Sequence, residues 1–368
     1  MSKRYYWLVV LVLLLSGYHC REKRYLPEIG IVRQLGIEIG RDQQLLFTQI
    51  FPNISKNRYH EQIILSEAKL FHDAREKAGH IAALHLRLGK LQQFLLSEQL
   101  AGKGITNVLN SFYRDYETPP QALLVIVNGS PRELLSKAVG FAGSSPVFSY
   151  VQTLIKENYG ADLSKLSILE FFVLKFAPGI DPLAPVIKLA ADGIRFDGLA
   201  LFAGDRLVGR FNNTESILVL LMMGQLREGH YIFQKSKAID PLHPSQKAVV
   251  TNFMKVRRRI RITINQNWPL ITLSLRVLGN IEEYVWDALD KPLVARALEK
   301  KLSRTLENDC LKILRHAQSI GSDPLGFGDL FRMSCYQCWK KYDWRTLYSK
   351  AQFKVKIDFK IDHYGIIK

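Results

Sequence analysis

Cysteine is scarce: the chain has 4 in 368 residues, too few to hold a protein of this size together by disulfides. Packed apolar cores must do so instead, and the length suffices for two or three domains with a centre each. Cys310 falls on the apolar stripe of an expected helix and reads as a small buried hydrophobe. Cys335 and Cys338 form a solitary CxxC, "CYQC". It lacks the second pair or histidines that zinc needs and the βαβ setting of a redox centre, so packing or an incidental disulfide is expected.

Acidic residues are also few, 34 Asp+Glu against 51 Lys+Arg, a formal charge of +17. The excess favours an anionic partner, either nucleic acid or membrane lipid. No zinc-finger spacing, RNP-type aromatic motif or long arginine-rich helix is present, so nucleic acid rests on net charge alone. The densest basic segment, "KVRRRIRITIN" at 255–265, alternates Ile260, Ile262 and Ile264 with polar residues. It reads first as a half-buried strand.

Long apolar runs are missing too. A spanning helix needs about 20 apolar residues, and the run from Trp7 to Leu15 is about half that. Lys3 and Arg4 precede it, and Ser16 and Gly17 follow. That is the layout of an export signal, which puts the body outside the cytoplasm. The later stretch "SILVLLMMG" at 216–224 is short and reads as a core helix.

Enzyme signatures are equally absent: the sequence contains no HExxH, paired metal-spaced histidines, GxSxG, P-loop or GxGxxG. No cofactor, metal or catalytic residue is therefore expected. His72, Asp73 and Glu76 in "HDARE" could be drawn as an acid–base group but fit the wet face of a helix better. Trp339 and Trp344 read as core or interface aromatics.

What is present is a mixture of strand and helix patterns. "EIGIVRQLGIEI" and "LLFTQIF" look like paired strands, and "LSEAKLFHDAREKAG" at 65–79 like a helix. Ser97 opens a short helix, and a second follows Gly104. Ala122 to Val127 reads as a buried strand that feeds a helix opened by Ser130 and Pro131. The intervening "NGSP" is a junction first and an anion-binding loop second.

Three prolines and several small residues in "APGIDPLAPVIKLAADG", 177–193, mark a domain boundary that could include an edge strand. A hairpin turning at Gly204 and Asp205 follows. In the last third, Ile271, Leu273, Leu275 and Val277 alternate with polar residues, as do Phe353, Val355, Ile357, Phe359 and Ile361. Between them Val294, Leu298, Leu302, Leu306, Cys310 and Leu314 recur every four residues. A long amphipathic helix on an antiparallel or mixed sheet satisfies all three patterns. "DPLGFG" at 323–328 reads as a connection between helices whose glycines permit positive φ while Phe327 plugs the core.

Several segments together resemble a known family. "CREKRYLPEIGIV", "SEQLAGKGI" before "VLNSFYRDYE", "GDRLVGRFNNTES" before an apolar helix, and "DPLGFG" with its downstream tryptophans and terminal "GIIK" are similar, in order and spacing, to the Ger(x)C lipoproteins. These are the C subunits of spore nutrient germinant receptors in endospore-forming bacteria. The resemblance implies a multidomain α+β protein with a signal peptide at 1–19, an N-terminal germination-protein region at 20–190 and a C-terminal domain at 191–368.

It also implies a non-enzymatic lipoprotein, acylated at Cys20, on the outer face of the spore inner membrane. Its partners would be two polytopic receptor subunits and membrane lipid, with no nucleic acid. The sequence departs from the family at the anchor, where His19 replaces the usual small residue before the cysteine; a retained signal or simple secretion stays open beside lipidation. Arg21, Lys23 and Arg24 would lie among anionic headgroups, worth about 1 kcal/mol each. The rival from another class is an extracytoplasmic solute-binding lipoprotein with a ligand cleft between its domains.

Overall fold

The computed structural model describes residues 29–55, 58–143, 145–234, 248–265, 268–283, 289 and 291–363. The chain runs β1 (Ile29–Ile31), β2 (Gln34–Ile39), β3 (Leu45–Ser55), β4 (Arg58–Ala68), α1 (Phe71–Ala82), β5 (His85–Arg87), β6 (Gln93–Ser97), α2 (Glu98–Lys103), α3 (Thr106–Tyr113) and β7 (Leu123–Asn128). Then come α4 (Pro131–Ala142), α5 (Val147–Tyr159), α6 (Ile168–Phe176), β8 (Leu183–Ala190), β9 (Gly193–Ala203), β10 (Arg206–Phe211) and α7 (Asn213–Met223). The last part holds β11 (Gly229–Gln234), β12 (Ala248–Asn265), β13 (Trp268–Glu283), α8 (Pro292–Ser319), α9 (Phe327–Ser334), α10 (Tyr336–Lys341), α11 (Trp344–Ser349) and β14 (Gln352–Ile361).

Eight strands form one mixed sheet in the order β10-β9-β8-β7-β6-β2-β3-β4. Its alternate side chains go to opposite faces. Leu35, Ile37, Phe94, Leu96 and Ile126 pack under α1, α2, α3 and α6. Ile50, Leu95, Val125, Val127 and Ile187 pack under α4, α5 and α7, and this second core runs on without interruption into the C-terminal part. A sheet covered by helices on both faces explains the all-apolar β7 and the absence of alternation there.

The smaller sheet is ordered β11-β12-β13-β14, with β13 and β14 parallel and the other pairs antiparallel. The mixed sheet carries α8 on its apolar face, with Leu298, Leu302, Leu306, Cys310 and Leu314 buried as their four-residue spacing requires. Burial pushes the Cys310 thiol up, and the neighbouring Asp309 and Glu307 reinforce it. The free edge of β14 is covered by that same helix. The backbone N–H groups of Ile357, Phe359 and Ile361 donate to Glu307 Oε1 (2.9 Å), Ser303 Oγ (3.0 Å) and Glu299 Oε1 (3.1 Å). Four helical residues rise about 6 Å and two strand residues about 6.6 Å, so the two repeats stay in step over three positions. An edge strand that would otherwise accept another chain is thereby closed.

Two expectations fail locally. The helix expected over 65–79 starts only at Phe71, because 58–68 pairs residue by residue with β3. Ladder bonds and burial outweigh helix propensity there. The part of 177–193 left open as an edge strand is β8, which is interior, with β7 on one side and β9 on the other. The eight-stranded sheet therefore passes through residue 190 without a break.

Candidate functional site

The most elaborate polar arrangement among the described residues lies where the large sheet meets the C-terminal helices. It is built from two copies of one tripeptide, Asp181-Pro182-Leu183 before β8 and Asp323-Pro324-Leu325 between α8 and α9. The two aspartates bind each other through one backbone–backbone bond and one bond from backbone to carboxylate. Asp181 N donates to Asp323 O at 3.0 Å, and Asp323 N donates to Asp181 Oδ2 at 2.9 Å. Each following proline lacks an N–H, so the crossing adds no unsatisfied donor.

The Asp323 side chain then organises the turn into α9. Its oxygens accept from Phe327 N (3.1 Å), Gly328 N (2.9 Å) and Trp344 Nε1 (3.1 Å). Asp181 Oδ1 accepts from Gly204 N in the β9–β10 turn (2.8 Å) and from Arg345 Nη2 (2.9 Å). Ser322 Oγ donates to Phe202 O at 2.7 Å, and Tyr348 OH donates to Ser322 O at 3.0 Å. Elements 142 residues apart are thus joined through one carboxylate pair.

Burial pushes the Asp323 carboxyl up to about 7; its N–H donors oppose that, and the charge of Asp181 adds to it. The Tyr348 hydroxyl is held well above the usual phenol range by burial and by both aspartates. Close backbone approach completes the joint. Gly179 takes φ +82°, and a side chain on Gly328 would collide with Trp344 Nε1 and the Gly179 Cα. The Asp329 N–H donates across the gap to Gly179 O at 2.9 Å. Phe327 is fully buried and Gly326 has φ +70°, as the reading of "DPLGFG" requires.

A cleft of about 480 Å³ opens over the joint, bounded by Lys175, Phe176, Trp339, Tyr342 and Arg345. Trp344 is buried and stacks on Phe331, while Trp339 is half-buried beside it. Cys335 and Cys338 are joined by a disulfide at the start of α10.

Other singled-out residues are placed as follows. His72, Asp73 and Glu76 are exposed, with Asp73 paired to Lys77 at 2.9 Å and Glu76 near His80 at 3.8 Å. The "NGSP" loop already holds an anion of the chain's own: Glu38 Oε2 accepts from Ser130 Oγ and Arg132 N, both at 2.8 Å. Cys20 and the basic residues after it lie outside the described residues. The joint itself escaped the sequence reading, although the repeated Asp-Pro-Leu was a usable signal. A third copy, at 240–242, lies outside the described residues.

Comparison with known proteins agrees with this architecture. Residues 22–189 match the family described as "Spore germination protein N-terminal domain", and residues 197–365 that described as "Spore germination B3/GerAC like, C-terminal". The chain is 21% identical to spore germination protein GerQC of Bacillus cereus over 363 residues, covering 98% of this chain and 99% of the relative. It is 22% identical to spore germination protein B3 of Bacillus subtilis (strain 168), covering 98% and 97%. The crystal structure of the GerBC protein shares the fold with a TM-score of 0.60 at 20% identity, covering 89% of this chain and 96% of that one. The chain therefore belongs to the Ger(x)C family of spore germination proteins, the family of germinant-receptor C subunits.

Proposed function

We propose that this chain is a non-enzymatic C subunit of a spore germinant receptor. In this reading it is anchored by acylation of Cys20 on the outer face of the spore inner membrane, and it acts by binding two polytopic membrane subunits. The match of both halves to germination-protein families carries the reading. The joint agrees with it, since the Asp181 and Asp323 carboxylates are engaged by the chain's own donors. Such a site fixes the relative placement of two halves; it does not present a base or nucleophile to a substrate. A division at residues 190 and 191 is, on this reading, a division of sequence families laid over one continuous sheet.

The cleft over the joint favours a second reading, a solute-binding lipoprotein, because aromatic and cationic side chains bound it. Deletion in the native spore-former separates the two. The subunit reading expects loss of the response to a nutrient, restored by the wild-type gene, and a mature N-terminal peptide that starts at acylated Cys20. Saturable binding of a nutrient by the isolated chain, with germination intact in the deletion strain, would favour the solute-binding reading.

A further inference from the structure

The small sheet has two unlike faces. One is apolar and packs on α8. The other carries, in register across β12, β13 and β14, the rows Arg257–Arg276–Asp358, Arg259–Ser274–Lys356 and Arg261–Thr272–Lys354. Lys255 extends the same face. Alternate residues lie about 6.6 Å apart along a strand and neighbouring strands about 4.8 Å apart, so the cations form a dense, flat array. All of Lys255, Arg257, Arg259, Arg261, Lys354 and Lys356 are exposed. Asp358 is the acidic residue in these rows, and it is shared by Arg276 (3.5 Å) and Lys360 (3.8 Å). Among the described residues no ion pair engages the other six cations.

We propose that this face docks on an anionic phospholipid bilayer. Charge complementarity indicates the sign of the partner, and the composition of the face indicates its kind. A protein-binding surface centres on buried aromatic or aliphatic anchors, whereas the three rows offer charged side chains, Ser274 and Thr272, and the apolar residues on the same side of β13, Trp268, Leu270 and Leu278, lie outside those rows at its two ends. A nucleic-acid surface would interleave aromatics or read base edges from a protruding element. A flat lattice of cations with its apolar residues only at the ends suits a headgroup layer, where each cation contributes near the surface and the effect fades within a Debye length. Protection of the exposed β12 edge needs only a charge or two on that strand and leaves Lys354 and Lys356 on β14 unexplained. The proposal deepens the membrane reading above but does not depend on acylation of Cys20.

The test uses the recombinant, unlipidated full chain and two kinds of vesicle, pure phosphatidylcholine and phosphatidylcholine with phosphatidylglycerol. The apolar run at 7–15 and the basic residues at 21–24 are the same in every variant, so the difference between parent and variant on the anionic vesicles isolates the face. Replacing Arg257, Arg259 and Lys356 by Gln should weaken binding to the anionic vesicles roughly a hundredfold, at about fivefold per cation, and flatten its salt dependence. Binding to neutral vesicles should not change. A second triple, Lys255→Gln, Arg261→Gln and Lys354→Gln, should behave alike, which guards against misfolding of one variant. Unaltered binding by both triples overturns the proposal. So does an equal loss on replacing Lys103, Lys137 and Lys156, which would make net charge the cause, or tighter binding to duplex DNA than to anionic vesicles. Failure here with acylated Cys20 in spores would leave the subunit reading standing, and the converse would leave the face standing.

Discussion

Replacing Asp323 by Ala tests the joint most severely. The carboxylate is fully buried and accepts from Phe327 N, Gly328 N and Trp344 Nε1. Its removal leaves three buried N–H groups without a partner, at about 1–3 kcal/mol each. Release of a desolvated charge offsets part of this, so the net loss should be about 3–6 kcal/mol. Urea unfolding followed by circular dichroism and by tryptophan fluorescence measures it, with the m-value checked for constancy.

Asp323→Asn refines the test through pH. The carboxyl stands near 7 in the folded chain against 3.8 ordinarily, chiefly through burial. Between those values the folded protein holds a proton that the unfolded chain has released. Stability should therefore fall as pH rises from about 4 to about 7, by up to about 1.4 kcal/mol per unit, and level off above. The Asn variant should lose that slope. A loss below about 1 kcal/mol for Ala, or an unchanged slope for Asn, would refute the role assigned to this carboxylate.

Gly328→Ala should cost about 1–3 kcal/mol by overpacking against Trp344 and Gly179, read as a lower urea midpoint; an unchanged midpoint would show that the two segments can part freely. Replacing Glu299, Ser303 and Glu307 together by Ala uncovers the β14 edge. Light scattering should then show stronger concentration-dependent association than for the parent chain, and a variant that associates no more than the parent would mean the edge is protected in another way.

Legibility in the sequence followed the range of the interactions. The C-terminal periodicities were readable because each of β13, α8 and β14 packs one face on one partner, and period alone reports that. The same period hid the edge closure: Glu299, Ser303 and Glu307 look like an ordinary wet flank of a helix until β14 is laid beside them. The strand from Leu65 to Ala68 was misread because its pairing with Leu45 to Thr48 is a tertiary fact, stronger than the helix preference of Glu67 and Ala68. Asp323 was visible only as part of a turn and Asp181 only as part of a proline-rich boundary, since pairing across 142 residues leaves no periodic trace. Membership of the germination family, by contrast, was carried by the order of local motifs, which survives at 21% identity.

On the function proposed above, the chain works as one subunit of a membrane receptor. Tagged protein purified from spore membranes in mild detergent, followed by mass spectrometry of whatever accompanies it, tests that most directly. Co-recovery of two polytopic subunits in constant proportion is the predicted result. Full recovery of the tagged chain without any polytopic partner would contradict it.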